Sequence, residues 1–590
     1  MKNLYSANEH LKFKRPNILF LIVDEQCYPP CYEADALKEW RKENLIAQEI
    51  LREKGLSFQN HYIGSTACSP SRTTLFTGHY PSLHGVTQTT GAAKGAFDPN
   101  VYWLTSNTVP TLGNYFQTAG YQTFWKGKWH LSDEDLLIPG THNALQSYHP
   151  NTGVPNSRKE KLYEAANRLN RYGFDGWIGP EPHGADPRNS GSSAKIGVSG
   201  RDEIYASEVV ELIQSLEQHP NAQHQPWLIV SSLVNPHDIT LFGLLTRLSP
   251  NYNFEIDPSL PAIPPAPTAK EDLRTKPRAQ MSYRDVYQKA FQPTIDSEFY
   301  RKLYYSLQKK VDKELFKIYT ALANSIFYED TIIVFTSDHG SLLGAHGGLF
   351  QKWHNAYEEA LHVPFIIHSP KLFAEPNETD FLTSHVDILP TLLGLAGINA
   401  EEVQEKLRKT HSEVHPFVGR NLTPHITGES VSECANEPLY FMTDDEVTKG
   451  LNQITLQGEP YSAVIQPNHL ETIIIKLPTG RQDREEIWKY TRYFDNPQFW
   501  STPNVEDLES TKLFISEFSD TTEADIVLNT TKTKPVDEEF ELYNLTRDPL
   551  EKMNLAHPVH ETPETKLVQL LLVQVLKQQR KQKRLYPSNQ

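Results

Sequence analysis

The sequence predicts an α/β fold: a large, mostly parallel sheet sandwiched by helices, with a smaller C-terminal antiparallel-sheet subdomain. Continuous apolar runs alternate with amphipathic helical segments over residues 1–430, a pattern typical of parallel sheets that are covered on both faces. After about Gly428, shorter strand-like runs are separated by turn residues, which is typical of a small antiparallel sheet. The chain of 590 residues is also longer than one core usually holds, so we divide it into domains at residues 1–430 and 431–590.

Each strand of the predicted sheet comes from a short run rich in apolar residues. Such runs suit buried strands and are far too short to span a membrane. The strands predicted for the large sheet are Asn17–Val23, Leu56–Ile63, Tyr121–Trp125, Trp227–Leu233, Thr331–Thr336 and Val363–Ile367. For the C-terminal sheet, the sequence predicts strands at Tyr461–Ile465 and Glu471–Leu477.

Helical spacing of apolar residues predicts the helices that cover the sheet. They are Lys38–Lys54, Arg201–Leu216, Phe299–Phe327 and a closing helix at Glu564–Leu585. Two further stretches, residues 136–199 and the proline-rich residues 241–297, show little periodicity. Because loops of this length are usually functional or disordered, we predict that these stretches shape the mouth of a substrate cleft.

The net charge and the cysteine content exclude several classes of protein. The formal net charge is -16 and the pI is about 5.8, which argues against nucleic acid as the main partner because phosphate binding needs a basic surface. Four cysteines, Cys27, Cys31, Cys68 and Cys434, are too few for a disulfide-built fold and are expected to be free thiols. Residues 1–14 lack the apolar core of a signal peptide, so the sequence predicts a cytoplasmic protein without a membrane partner.

Polar residues gather directly after three of the predicted strands. Asp24 and Glu25 follow the first strand, His237 follows the strand that begins at Trp227, and Asp338 and His339 follow the strand that begins at Thr331. Open α/β sheets bind ligands at the carboxyl ends of their strands. We therefore expect these side chains to lie near one binding site.

The segment Ala67–Gly78, with the sequence ACSPSRTTLFTG, carries the strongest chemical pattern. Pro70 favours the entry into a helix, and Arg72 would share a helix face with Cys68. The N-terminus of a helix favours an anion and lowers the pKa of a thiol, so Cys68 is a candidate nucleophile. The alternative is a buried structural cysteine, which is the commoner case for a single cysteine.

The pattern Cys68-x-Pro70-Ser71-Arg72, followed by a Thr-Gly pair, resembles the signature of the formylglycine-dependent sulfatases, a family of the alkaline phosphatase-like superfamily. The resemblance implies that a formylglycine-generating enzyme oxidises Cys68 to formylglycine (3-oxoalanine). It also implies that the hydrated aldehyde attacks sulfur and that Arg72 stabilises this nucleophile.

Four other segments resemble parts of the same family in the same order along the chain. The resemblance of Gly127-Lys128-Trp129-His130 implies that Lys128 holds a sulfate oxygen and that His130 contacts the formylglycine. By the same resemblance, His237 binds sulfate and protonates the leaving oxygen, and Lys352 is a second sulfate-binding lysine. The fourth segment lies in the tail, from Glu541 to Leu555.

The resemblance also implies a divalent metal, Ca2+ or else Mg2+ or Mn2+. The ligands carried over by position are Asp24, Glu25, the modified Cys68, Asp338 and His339. Hard carboxylate oxygens suit such ions. Glu25 stands where the family usually has aspartate, and its longer side chain makes it a different ligand from Asp24.

These observations predict a hydrolase that cleaves an aryl, alkyl or carbohydrate sulfate monoester. One alternative is a phosphonate monoester or phosphodiester hydrolase, which would use the same formylglycine and metal. The other is a non-catalytic, anion-binding relative that keeps the fold.

Overall fold

The computed structural model describes residues 15–91, 93–182, 186–219, 224–429, 437–448, 453–455, 458–479, 484–497, 506–517, 520–531 and 535–588. The strands are β1 (Asn17–Asp24), β2 (Gly55–Tyr62), β3 (Gln122–Gly127), β4 (Trp227–Pro236), β5 (Thr331–Ser337), β6 (Phe365–His368), β7 (Asn377–Ser384), β8 (Leu439–Thr443), β9 (Gln453–Ile454), β10 (Pro460–Tyr461), β11 (His469–Pro478), β12 (Glu485–Phe494), β13 (Glu506–Glu517), β14 (Asp520–Thr531) and β15 (Glu539–Asn544).

The α-helices are α1 (Asp35–Asn44), α2 (Ile46–Glu53), α3 (Cys68–Thr77), α4 (Pro81–His84), α5 (Leu112–Thr118), α6 (Ser157–Ala166), α7 (Arg201–Gln218), α8 (Arg278–Ala290), α9 (Glu298–Ala323), α10 (Ala345–Gly348), α11 (Glu358–Leu361), α12 (His385–Leu395), α13 (Ala400–Leu407), α14 (Thr423–Ile426) and α15 (Pro563–Lys583).

The large sheet has seven strands in the order β3-β4-β1-β5-β6-β2-β7. Strand β1 is parallel to both β4 and β5, whereas β6 runs antiparallel to β5 and β2. The prediction of a mostly parallel sheet is therefore confirmed, and all six predicted strands of this sheet are present. The seventh strand, β7, was not predicted.

Helices cover both faces of this sheet, and β1 shows why. Alternate residues of a strand point to opposite faces. Phe20 packs into a core that includes Phe76 of α3, and Leu21 packs into a second core with Val209 of α7 and Leu315 of α9. Every residue of β1 is buried, which explains its continuous apolar sequence.

The C-terminal sheet has four antiparallel strands in the order β15-β12-β11-β8. The closing helix α15 packs against it through Leu572 and Leu576. Buried Glu471 of β11 accepts hydrogen bonds from Arg580 and Arg584 at the end of this helix, at 2.8 and 2.9 Å. The predicted antiparallel subdomain and its closing helix are thus confirmed, while the domain boundary at residues 430 and 431 lies outside the described residues.

Three local predictions were wrong. The predicted helix Lys38–Lys54 is broken at Leu45, because the Asp312 side chain accepts hydrogen bonds from the first backbone N–H groups of α2 and fixes a new helix start there. The predicted strand Tyr461–Ile465 is reduced to β10, because the Ile465 N–H donates to the Ser282 side chain instead of a neighbouring strand. The aperiodic stretch 241–297 contains a regular helix, α8.

The structure also bears on the expected free thiols and on the question of membrane-spanning helices. Cys27, Cys31 and Cys68 are free thiols, as predicted, and Cys434 lies outside the described residues. Within the described part of the chain, no helix combines the length and the apolar character needed to cross a membrane.

Candidate active site

Helix α3 begins at Cys68 itself, two residues before Pro70. All ten residues of this helix are buried, and Arg72 lies one helical turn after Cys68. The helix ends at Thr77, and Gly78 caps it with a φ of 70°, which favours glycine. The predicted placement of Cys68 and Arg72 on one helical segment is correct.

The strand ends bring the predicted acidic residues to the start of α3. Asp24 ends β1 and is level with Pro236 of β4, and Asp338 follows the last residue of β5. The Glu25 backbone N–H donates to Asp338 Oδ1 at 3.1 Å. The carboxyl ends of three neighbouring parallel strands therefore form one site, as expected for an open α/β sheet.

Arg72 connects the two aspartates. Its Nε donates to Asp338 Oδ2 at 2.8 Å, and its Nη2 donates to Asp24 Oδ2 at 3.2 Å. Nη1 donates to Ser232 Oγ at 2.8 Å and to the Lys128 carbonyl at 3.1 Å. All three charged side chains are fully buried, so the planar guanidinium fixes the relative position of both carboxylates.

The Cys68 thiol lies within this carboxylate and imidazole cluster. Its Sγ is 3.1 Å from His339 Nε2. Burial raises the pKa of Cys68 to about 12 despite nearby Lys352 and Lys128. The expectation of a lowered thiol pKa at the helix N-terminus was therefore wrong, because loss of hydration outweighs the favourable charges.

Four side chains form a group that suits a divalent cation. Asp24, Cys68, Asp338 and His339 each offer a ligand atom, and these atoms all lie within 4.8 Å of one another. Asp24 Oδ1 is buried and accepts no hydrogen bond from the described residues. Buried polar atoms are nearly always paired, so an oxygen in this position fits a metal ligand.

The charge state of Asp24 also fits a cation site. Burial opposes its ionisation, but the positive charges of Lys128 and Arg72 outweigh burial and hold the pKa of Asp24 well below its ordinary value. Lys128 Nζ donates to Asp24 Oδ2 at 2.5 Å. Since Lys128 and Arg72 both bind Oδ2, Oδ1 is left available to an ion.

Glu25 lies at the same site but is held differently. Its Oε2 accepts a hydrogen bond from Lys352 Nζ at 3.0 Å, and its Oε1 is buried with no hydrogen-bond partner among the described residues. Burial raises the pKa of Glu25 more than Lys352 lowers it. Ligand atoms of Asp24, Glu25 and His237 also lie within 4.8 Å of one another, so Glu25 is within reach of the cluster, and its role as a ligand stays a prediction.

The two predicted histidines outside the metal set are neutral in this environment. Burial and the charge of Lys128 lower the pKa values of His130 and His237 well below the ordinary value. His130 Nε2 lies 2.7 Å from Thr90 Oγ1, while its Nδ1 is buried without a hydrogen-bond partner among the described residues. The predicted contact of His130 with a modified Cys68 stays a prediction.

Buried carboxylates that the sequence did not reveal hold two of these segments in place. Both oxygens of Glu181 accept from the Trp129 N–H at 3.1 Å, between Lys128 and His130. Asp202 accepts from the Val234 N–H at 2.6 Å, just before His237. These residues bind backbone groups far from them in sequence, so only the acidic residue type could have drawn attention to them.

A second acidic and imidazole cluster lies apart from this site and has its own counter-charges. His346 Nδ1 lies 3.1 Å from Glu271 Oε1, and its Nε2 lies 3.2 Å from Glu359 Oε2. Lys489 Nζ is 2.9 Å from Glu551 Oε1. Because both imidazole nitrogens and the nearby carboxylate have partners, this cluster is a network of ion pairs.

Comparisons with known proteins agree with the motif pattern. A family model described as Sulfatase matches residues 16–398. The uncharacterized sulfatase YidJ of Escherichia coli is 27% identical over 398 residues, which are 66% of this chain and 69% of that protein. The N-acetylglucosamine-6-O-sulfatase of Bacteroides thetaiotaomicron is 26% identical over 403 residues, covering 65% of this chain and 68% of its own.

Two solved structures share the fold over nearly the whole chain. One holds its substrate D-glucosamine-2-N,6-O-disulfate; it has a TM-score of 0.58 at 17% identity and covers 97% of this chain and 98% of its own. The other is the phosphonate monoester hydrolase of Agrobacterium radiobacter, with a TM-score of 0.55 at 18% identity and 96% coverage of both chains. At these identities the likeness is one of fold.

Proposed function

The chain belongs to the sulfatase family, the hydrolases of sulfuric esters, and we propose that it cleaves an aryl, alkyl or carbohydrate sulfate monoester with a formylglycine made from Cys68 and a divalent metal. The observation that carries this proposal is the position of Cys68. Its Sγ lies at the start of α3, 3.1 Å from His339 Nε2 and within 4.8 Å of a carboxylate oxygen of both Asp24 and Asp338.

The raised pKa of the Cys68 thiol supports the need for modification. A protonated thiol is a poor nucleophile at neutral pH, and burial keeps this thiol protonated. Formylglycine would supply a hydrated aldehyde, whose hydroxyl is the nucleophile toward sulfur. A formylglycine-generating enzyme is the maturation partner that this proposal requires.

We assign the metal to Asp24, Asp338, His339 and the modified Cys68, with Glu25 as a further ligand. A bound Ca2+, or else Mg2+ or Mn2+, would polarise the sulfate oxygens and favour deprotonation of the nucleophilic hydroxyl. Arg72 keeps the Asp24 and Asp338 carboxylates apart and oriented through its separate bonds to each. This rigidity supports a preorganised site.

Lys128 and Lys352 are the residues proposed to bind the sulfate group. Both ammonium groups are buried at the edge of the carboxylate cluster, where each donates to one carboxylate oxygen. An ammonium group has three donors, so each lysine can bind an anion as well as its carboxylate. Both positive charges would neutralise the charge that develops on the transferring group.

His237 is proposed to protonate the leaving oxygen. Burial and Lys128 keep the pKa of His237 well below its ordinary value, so the free enzyme holds this imidazole neutral. An anionic sulfate ester beside the ring raises the pKa of the imidazole, because an opposite charge favours the protonated form. Substrate binding would thereby load the proton that general-acid catalysis uses.

A phosphonate monoester or phosphodiester hydrolase is the second candidate. The specific observation in its favour is the shared fold of the phosphonate monoester hydrolase over 96% of both chains. The proposed nucleophile and metal would serve either reaction, since both transfer a tetrahedral anionic group to a hydroxyl. The two candidates differ only in which substrate is turned over faster.

The test compares three substrates with one protein produced together with a formylglycine-generating enzyme. An aryl sulfate, an aryl phosphonate monoester and an aryl phosphodiester are assayed with wild-type protein, Cys68→Ala and the control Cys31→Ser. We expect the highest kcat/KM for the sulfate, a loss on the order of 1,000-fold in Cys68→Ala and no change in Cys31→Ser. Faster turnover of a phosphorus substrate would favour the second candidate, and no turnover of these substrates or of alkyl and carbohydrate sulfates by metal-loaded wild-type protein would favour a non-catalytic, anion-binding relative.

A further inference from the structure

Asp445 lies in the turn that follows β8, in the C-terminal subdomain, and its side chain is buried. One carboxylate oxygen, Oδ2, accepts from the Ala67 backbone N–H at 3.0 Å and from the Trp353 indole Nε1–H at 3.1 Å. Ala67 directly precedes Cys68, and Trp353 directly follows Lys352. A single oxygen thus connects the segment of the proposed nucleophile with the segment of a proposed sulfate-binding lysine.

The other oxygen, Oδ1, is also fully used. It accepts from the Thr89 backbone N–H at 3.1 Å and from Lys94 Nζ at 3.1 Å. Lys94 is buried and balances the carboxylate charge. The Thr89 hydroxyl in turn accepts from the Ser69 N–H at 3.3 Å, so this oxygen also supports the first turn of α3.

A second contact from the same turn reaches the same segment. The Thr443 hydroxyl donates to the Thr66 carbonyl at 2.7 Å, and the Asp445 N–H donates to the Thr443 hydroxyl at 3.1 Å. The backbone on the N-terminal side of Cys68 is therefore held at both Thr66 and Ala67 by the C-terminal subdomain.

We propose that Asp445 is a positioning residue that sets the distance between the Cys68 and Lys352 segments, so that the C-terminal subdomain completes the active site. This inference rests on the proposed function of those two residues. An ionised carboxylate accepts at both oxygens, whereas an amide presents donors on one side. Asparagine at this position would direct its NH2 group either at the donors of Ala67 and Trp353 or at those of Thr89 and Lys94. The two segments that carry those donors would then be pushed apart.

The experiment compares Asp445→Asn with the adjacent control Asp444→Asn. Asp444 is also buried, but its carboxylate accepts from His469 at 2.9 Å and from Asn496 at 3.1 Å, which are outside the proposed catalytic segments. Both variants are measured for kcat and KM on an aryl sulfate, for formylglycine content by mass spectrometry and for Tm. Rates are expressed per formylglycine-containing protein.

A displacement of about 1 Å between reacting groups can lower a rate on the order of 100-fold. We therefore expect Asp445→Asn to lower kcat by roughly that factor with KM changed less than about threefold, while the control keeps its kcat whatever its change in Tm. A kcat for Asp445→Asn within about twofold of wild type, or an equal loss of kcat in both variants, would overturn the inference.

A double-mutant cycle separates positioning from general loss of structure. Trp353→Phe removes the indole donor from the same hydrogen bond, so its effect on kcat and that of Asp445→Asn should be strongly non-additive. Additive effects would overturn the link between the two segments. A different result, wild-type turnover by Cys68→Ala, would contradict the proposed function itself.

Discussion

Arg72 and Asp338 form a fully buried ion pair, with 2.8 Å between Nε and Oδ2. The same guanidinium also binds Asp24, so one cation holds the two aspartates that are proposed to bind the metal. Arg72 therefore positions the proposed metal site, although it is not itself a proposed ligand.

The first prediction concerns Arg72→Lys. Lysine keeps the charge but cannot span two carboxylates, the Lys128 carbonyl and the Ser232 hydroxyl as the planar guanidinium does. We expect kcat to fall on the order of 100-fold and the free energy of unfolding, measured with urea, to fall by about 1–3 kcal/mol, because buried acceptors that Arg72 satisfies lose their hydrogen bonds.

The matched control is Arg408→Lys. Arg408 is exposed, and its ion pair among the described residues is with Glu405 on the same helical turn; such surface pairs contribute about 0–1 kcal/mol. Equal losses in Arg72→Lys and Arg408→Lys, or no loss in either, would contradict the proposed role of Arg72.

The second prediction concerns metal content. Asp24→Asn removes a carboxylate whose Oδ1 is buried without a hydrogen bond among the described residues, so the purified variant should hold far less Ca2+ than wild-type protein by elemental analysis. Glu25→Gln removes the charge of the proposed further ligand and should weaken metal affinity at least about tenfold, the lower end of the effect of replacing residues that only support a metal site. Glu181→Gln serves as control, because Glu181 binds the Trp129 backbone and lies outside the metal cluster.

Two results would count against this metal site. Full metal content in Asp24→Asn would remove Asp24 from the ligand set. If Glu25→Gln leaves the metal affinity unchanged but raises KM, Glu25 is not a metal ligand, and its role is to position the Lys352 ammonium group.

The third prediction concerns the pH dependence of stability at His346. Burial opposes its protonation, but Glu359 and Glu271 outweigh burial and raise the pKa of His346 to about 9. Because the folded pKa lies above the ordinary value of about 6.5, this histidine stabilises the fold fully below pH 6.5, and the stabilisation is lost as the pH rises through 9. A shift of this size corresponds to about 3 kcal/mol.

The measurement compares the Tm of wild-type protein and His346→Gln across that pH range. The variant should be less stable than wild type at pH 6, and the gap should narrow as the pH rises toward 9. A gap that stays constant or widens over that range would show that His346 is neutral in the folded protein.

The apolar strands and the motif residues could be predicted from the sequence. Strand β1 is buried on both faces, so its apolar run is continuous and easily recognised. Cys68, Arg72 and Lys128 lie in compact segments after predicted strands, and the structure brings all three together. Local patterns were informative here because they coincide with the elements that form the site.

The features that could not be predicted from the sequence depend on contacts between distant parts of the chain. Strand β7 has several partly exposed polar residues, so its sequence carries no apolar run. The break at Leu45 depends on Asp312, and the support of Ala67 depends on Asp445. The raised pKa of Cys68 follows from complete burial, which the sequence of a helix N-terminus does not reveal.

The most direct measurement is mass spectrometry of the Cys68 peptide from active protein purified from its native host. The proposal predicts an aldehyde in place of the thiol at Cys68, with oxygen replacing sulfur, and a turnover rate proportional to the modified fraction. An unmodified Cys68 thiol in protein with full sulfatase activity would contradict it.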